Sequence, residues 1–326
     1  MRRKGLSYAK YGYIFCIPFV LAFLIFSLYP IIYTAVIGFT DLKGLGRTDF
    51  KILENPFQNF ITIIKNASFQ QSLKNTIIIW VVNFIPQILI ALLLTAWFTN
   101  HRNKIKGQGA FKVLFYMPNI ITAATIAILF YSLFGYPKGP VNDLFMMLGI
   151  TDEPIYFLIQ KSTARGIVSF IQFWMWYGYT MIVLISGVLG MNPELFEASE
   201  IDGATSAQTF FFITLPNLRT ILLYTLITSL IGGLNMFDIP RLFLLGGPDN
   251  ATLTTSVFIY NQAFSGSYMY NRAAAASMIM FVIIAILSGM IFYIMRDKDA
   301  AQLKKFQKKQ QKALRAAEKA GRRADG

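Results

Sequence analysis

Hydrophobic and polar positions along this chain separate into long blocks instead of alternating. No Asp, Glu, Lys, Arg or His occurs from Tyr11 to Thr40, Asn75 to Asn100, Val113 to Pro137, Gly166 to Pro193, Thr220 to Phe237 or Ala273 to Met295. A helix that crosses a bilayer takes about 20 predominantly apolar residues. Five blocks meet that length. The block from Thr220 is interrupted by Asp238 and Arg241 and resumes as LFLLGG. The pattern predicts an all-α integral membrane protein with six transmembrane helices. Barrel strands would alternate with period two, and these blocks are continuous. The first block is too long for the apolar region of a signal peptide and reads as a retained span. The predicted organisation is a cytoplasmic N-terminus over 1–10, a six-span membrane domain over 11–295 and a basic cytoplasmic tail over 296–326.

Composition agrees with that picture. Of the 326 residues, 55% are hydrophobic and only 14% charged, too few for the surface of a soluble body this size. The formal net charge of +14 is concentrated outside the blocks, with eleven bases after Met295, which disfavours a nucleic-acid-binding surface. The tail is predicted to lie as a helix near anionic lipid or to be solvated. Lone Cys16 excludes an internal disulfide and reads as one more apolar side chain. The single histidine, His101, reads as solvated and cannot build a metal site or triad by itself.

Basic residues set the orientation. Arg2, Arg3, Lys4 and Lys10 precede the first block, Arg102, Lys104, Lys106 and Lys112 fill the second connection, and the tail is basic. With six spans these lie on one side, the cytoplasm. The fourth connection, between spans four and five, falls on the same side yet carries Glu194, Glu197, Glu200 and Asp202 against Arg219. Over 192–219 it reads as a helix–turn–helix. Asn192–Pro193 suits N-cap and N1, Gly203 the left-handed C′ position, Thr205 with Gln208 a capping box, and Leu215–Pro216 a stop before the next span. Leu195, Ala198 and Ile201 share one face and Glu197 and Glu200 another. An interfacial amphipathic connector and a protruding acidic helix for a partner's groove both fit the spacing.

EASEIDGATSAQTFFFITLP, residues 197–216, resembles the EAA loop of ABC-importer membrane subunits: Glu197, Ala198, Ser199, then Gly203, then Ile213, Leu215 and Pro216, with Ser199 in place of the second alanine. The first span, FQNF at 57–60, SLKNT at 72–76 and FDIPRLFLLGGP at 237–248 are similar to the carbohydrate branch of that family, in its maltose-type and glycerol-phosphate-type systems. The resemblance implies ATPase coupling through Glu197, Ala198, Ser199, Asp202, Gly203, Ala204, Ile213, Leu215 and Pro216. It implies a second related permease, two ATPase subunits that carry ATP and Mg, and an extracytoplasmic solute-binding protein. It implies a prokaryotic cell membrane and alternating access for a sugar. A permease for another solute, such as glycerol-phosphate or a polyamine, and a gradient-driven transporter or channel are the alternatives.

The chain itself has no GxxxxGK[ST] phosphate cradle and no acid–base or nucleophile cluster, so it is expected to be neither an enzyme nor a cofactor binder. A sugar path needs amides, hydroxyls and aromatic faces. Candidates within the spans are Asn83, Gln87, Trp174, Trp176, Tyr177, Asn235 and Asp238. Aromatic belts and interhelical polar contacts are the competing uses of such residues. Asp238 can pair with Arg241 three residues on, either as a local ion pair or in passage and gating.

Overall fold

A computed structural model describes residues 9–100, 102, 105–295 and 310. The tail and His101 therefore lie outside the described residues, apart from Gln310. The described chain is helical, with one isolated antiparallel bridge between Thr40 and Ile52. In order the helices are α1 (Ala9–Phe23), α2 (Tyr29–Ile37), α3 (Gln58–Ile64), α4 (Ala67–Phe98) and α5 (Gln108–Ile120). There follow α6 (Ala123–Leu133), α7 (Pro140–Met147), α8 (Lys161–Leu189), α9 (Glu194–Ile201) and α10 (Ser206–Thr209). The last five are α11 (Leu215–Asn217), α12 (Arg219–Leu234), α13 (Asp238–Leu244), α14 (Thr255–Phe264) and α15 (Tyr270–Met295). A π-helical turn at Leu24–Leu28 joins α1 to α2, just ahead of Pro30.

Five helical stretches among the described residues are long and apolar enough to cross a membrane: Tyr11–Ile37, Ala67–Phe98, Lys161–Leu189, Arg219–Leu244 and Tyr270–Met295. The third block departs from expectation. It is not one rod but two helices, α5 and α6, bent by 90°. Pro118 removes a backbone donor near the end of α5. Thr122 is extended and caps α6, its Oγ1 accepting from the Thr125 backbone N–H. The interruption in the fifth block falls at 235–237, after which Asp238 opens α13.

The chain divides into two compact units. One comprises the described residues of Met1–Pro86, Ile120–Met175 and Gly232–Ala285. Its main core joins Ile79, Ile126, Val168, Ile171, Ile239 and Phe243. Gly233 lets the Trp80 indole come close, since a Cβ there would sit 2.0 Å from Trp80 Cδ1. The segment after α13 is pinned, and Ala251, Thr252, Leu253 and Thr254 in it are buried. Asn75 Nδ2 donates to Asn250 O at 2.6 Å and Leu253 O at 3.1 Å. Thr255 N donates to Thr76 Oγ1 at 2.9 Å, and Arg165 Nε to Ala251 O at 3.1 Å. Asn75→Ala is expected to strand those carbonyls and cost about 1–3 kcal/mol. A lowered melting temperature of the purified protein in detergent checks this; an unchanged one refutes it.

The first connection is fastened in the same unit. Asn59 Nδ2 donates to Gly38 O and Thr40 O, and Asn271 Nδ2 to Asn59 Oδ1. Asp41 accepts from Lys51 N at 2.8 Å and Arg47 Nη2 at 3.0 Å. The Lys51 N–H first, and Arg47 after it, hold the Asp41 carboxyl below the ordinary carboxylate range. The clamp is complete above the ordinary value and opens only as pH falls through the lowered one.

The other unit comprises the described residues of Gln87–Asn119, Trp176–Ile231 and Ile286–Gly326. Ala91, Leu94 and Phe98 of α4 pack on Met181, Leu184 and Ile185 of α8. Where α5 crosses α8, a Cβ on Gly178 would lie 2.0 Å from the Phe115 carbonyl oxygen. Only glycine allows that backbone approach.

Candidate functional site

The acidic connection belongs wholly to the second unit, and its local chemistry explains its shape. Asn192 Oδ1 accepts from Glu194 N at 3.1 Å, so Asn192 caps α9 ahead of Pro193. Glu194 and Glu197 occupy the first turn, where the helix dipole favours carboxylates. At the other end Gly203 has φ +75°. Gly203 N donates to Glu200 O at 3.1 Å and Ala204 N to Ser199 O at 3.0 Å, the paired bonds of a Schellman closure. The Thr205–Gln208 capping box is formed in both directions and starts α10.

The packing shows which side of α9 turns inward. Phe196 is 6% exposed and sits with Val188 and Leu218. Ser199 is also buried; its Oγ donates to Phe196 O at 2.8 Å and lies 3.3 Å from Thr209 Oγ1. Leu195 and Ile201 are exposed, at 41% and 86%. Ala198 and Glu197 are exposed too, as are Glu194, Glu200, Asp202 and Gly203. The outward surface of α9 is thus an apolar strip flanked by carboxylates. Among the described residues none of these four acids forms an ion pair; the three that exist join Arg47 to Asp41 and Asp49, and Lys161 to Asp249.

Leu215–Pro216 does not end the second helix. A π-helical turn over Phe210–Thr214 carries the chain past it, α11 follows, and the break comes at Leu218. Pro216 occupies the first turn of α11, where its missing N–H is harmless. Ile213, Leu215 and Ala204 are half-buried and Pro216 is exposed. Ser206 Oγ lies 3.5 Å from Asn100 Oδ1, which brings α10 to the chain just beyond α4.

The residues chosen for a sugar path have varied surroundings. Asn83 is buried and donates to Ile79 O within its own helix at 2.9 Å. Gln87 is buried and donates to Thr180 Oγ1 at 2.8 Å. Trp174 packs against Phe130, ring centroids 5.6 Å apart, and Tyr177 against Phe115 at 6.3 Å. Asn235 and Asp238 are exposed. The Asp238–Arg241 ion pair is not formed. Arg241 instead donates to Asn261 Oδ1 at 3.1 Å and lies 4.9 Å over the Tyr260 ring. A flat guanidinium gains more from a ring and an amide held by α14 than from a solvated carboxylate on its own helix.

Sequence reasoning named Trp176 but passed over Tyr179 and Tyr224, which stand near it in the second unit. Trp176 and Tyr179 meet edge to face at 5.8 Å, and Tyr179 stands near Tyr224 of α12. The i, i+3 spacing of Trp176 and Tyr179 was the signal available. Among the described residues no three His, Cys, Asp or Glu side chains converge as a metal site would require.

Apolar helices of membrane length and a capped acidic helix with an exposed face mark a polytopic membrane protein. Residues 68–298 match the family of binding-protein-dependent transport system inner membrane components, and the chain belongs to it. It is 32% identical over 289 residues to the lactose transport system permease protein LacF of Rhizobium radiobacter, covering 88% of this chain and 94% of that one. It is 30% identical over 287 residues to the arabinooligosaccharides permease AraP of Bacillus subtilis, covering 87% and 88%. A crystal structure of a bacterial alginate ABC transporter in complex with an alginate pentasaccharide-bound periplasmic protein contains a chain with a TM-score of 0.73 and 25% identity, covering 87% of this chain and 93% of that one.

Proposed function

We propose that this chain is a membrane-spanning permease subunit of an ATP-driven, binding-protein-dependent importer of a sugar or oligosaccharide, working by alternating access. The observation that carries the reading is α9: a rigidly capped helix whose exposed face combines Leu195, Ala198 and Ile201 with Glu194, Glu197 and Glu200. Such a face suits a groove on a partner. Family membership supports an ATPase subunit as that partner, one of two that would hold ATP and Mg. The lactose and arabinooligosaccharide relatives support a saccharide substrate. A second permease completes the pore, and an external binding protein delivers the sugar at the connections 41–74, 137–165 and 246–272.

In this reading α5 and α6 together make one broken span, for six in all, with both termini cytoplasmic. Reporter fusions after Lys10, Asn103 and Lys304 are expected to report the cytoplasm; an external signal at Lys304 removes the six-span topology.

The candidate sugar path runs along Trp176, Tyr179 and Tyr224, with Gln87 and Tyr177 behind them in the same unit. Asn83, Trp174, Asn235 and Asp238 remain candidates in the other. Tyr179→Ala is expected to lower uptake about tenfold through loss of an aromatic face and a hydroxyl, while the complex still assembles. The function as a whole is tested by purification in mild detergent, where ATPase subunits should accompany the chain. ATP-dependent uptake of lactose, arabinotriose and an alginate oligomer into reconstituted vesicles completes the test. Purification without an ATPase, or uptake indifferent to ATP, refutes it.

A further inference from the structure

We propose that Arg241, Tyr260, Asn261 and Phe264 form a carbohydrate-contact site on the first unit, separate from the Trp176–Tyr179–Tyr224 cluster; the proposal rests on the sugar-importer reading above. Arg241 projects from α13 and the other three from α14. The guanidinium lies 4.9 Å over the Tyr260 ring. Tyr260 in turn is 5.3 Å from Phe237 and 5.4 Å from Phe264, and Phe264 is 6.2 Å from Tyr270. Tyr260 is 36% exposed and Phe264 59%.

The polar groups are arranged as a saccharide would need them. Asn261 Oδ1 already accepts from Arg241 Nη1 at 3.1 Å and from Ser265 Oγ at 3.1 Å. Its lone pairs are then used, and its Nδ2 donates to no described residue. Arg241 forms no ion pair among the described residues, so the rest of its five-donor fork is open. A pyranose or furanose ring has one C–H face and a rim of hydroxyls. The face suits the Tyr260 and Phe264 rings, and the rim suits Asn261 Nδ2 and the free guanidinium donors.

The site is also held still. The loop joining α13 to α14 is fixed by Asn75, Thr76 and Arg165, and Thr254 Oγ1 donates to Met236 O at 2.9 Å. A fixed platform binds without first losing loop entropy. An aromatic belt against lipid headgroups is the competing use of exposed Tyr and Phe. It gives no reason for an arginine bonded to an amide on the neighbouring helix.

The test uses the complete transporter with its ATPases and binding protein in vesicles, the binding protein saturating, and the probes lactose and arabinotriose. Tyr260→Ala and Asn261→Ala are expected to lower sugar moved per ATP hydrolysed about tenfold, the loss of one stacked face or of one amide set. ATP hydrolysis stimulated by the binding protein should stay near wild type, and Tyr260→Phe, which keeps the ring, should retain most transport. Equal falls in hydrolysis and transport would mark a structural role and overturn the site. Unchanged sugar per ATP in both alanine variants would assign the cluster to the lipid interface and overturn it as well, leaving the sugar-importer reading intact. If wild-type vesicles move neither sugar, both readings lose their support together.

Discussion

Gly203→Val is expected to abolish uptake without preventing insertion into the membrane. At φ +75° the backbone lies where a β-branched side chain is strained by about 1–3 kcal/mol. A Cβ at this position meets nothing within 4 Å, so the effect is purely conformational. Relieving the strain moves Gly203 out of the left-handed region and breaks the bonds from Gly203 N to Glu200 O and Ala204 N to Ser199 O. The end of α9 then swings, and its acidic face is displaced from the position the proposed partner would meet. Glu197→Lys tests the same contact by charge: it reverses the sign at an exposed site and disturbs no buried group. Both variants should reach the membrane in normal amounts. The measurement is reconstituted uptake beside ATP hydrolysis, with and without binding protein. Wild-type uptake in both variants would reduce α9 to a passive connector. Gly203→Ala should be milder, since a left-handed alanine costs about 1–2 kcal/mol and has no branch to crowd its neighbours.

Gly178→Val should act oppositely, destroying the folded protein instead of its coupling. The added Cβ would sit 2.0 Å from Phe115 O and 2.8 Å from Phe115 C, both backbone atoms that no rotamer change can move. Either α5 separates from α8 or one helix distorts, and the loss is expected to exceed about 4 kcal/mol. Gly166 lies in the same helix with open space around it. Gly166→Ala should be neutral or slightly stabilising, by up to about 1 kcal/mol from helix propensity. The comparison is read as the detergent-soluble, monodisperse fraction and its melting temperature. Equal yields for Gly178→Val and wild type would overturn the close approach of α5 and α8.

The sequence reading succeeded where a single residue type answers a single backbone demand. Asn192, Gly203 and the Thr205–Gln208 pair each satisfy orphan helix-end groups by a local rule, and each stands where the spacing put it. Freedom from charge likewise located the membrane-length helices, because every residue of such a block answers to the same solvent. Features that depend on a neighbour were not legible. Hydropathy is continuous through Ile121 and Thr122, so the 90° bend between α5 and α6 leaves no trace in it. The face of α9 that turns inward is fixed by Phe196 meeting Val188 and Leu218, and spacing alone also allowed Leu195, Ala198 and Ile201. Pro216 looked like a stop because a π-helical turn cannot be read from composition. Asp238 and Arg241 looked like partners because the sequence does not display Tyr260 and Asn261 on the next helix.

α9 is held to the rest of its unit at two places, by Phe196 on Val188 and Leu218 and by buried Ser199 beside Thr209. Both ends of the helix are closed by their own hydrogen bonds, so it resists fraying. Val188 belongs to α8, and Leu218 immediately precedes α12. If α9 couples to an ATPase as proposed, a load on its outward face reaches α8 and the start of α12 through the Phe196 ring and α10 through Ser199. On that reading the width of a phenyl group sets how closely the two helices follow the load, and narrowing that ring to Leu or Ala would introduce play before it weakened the attachment itself.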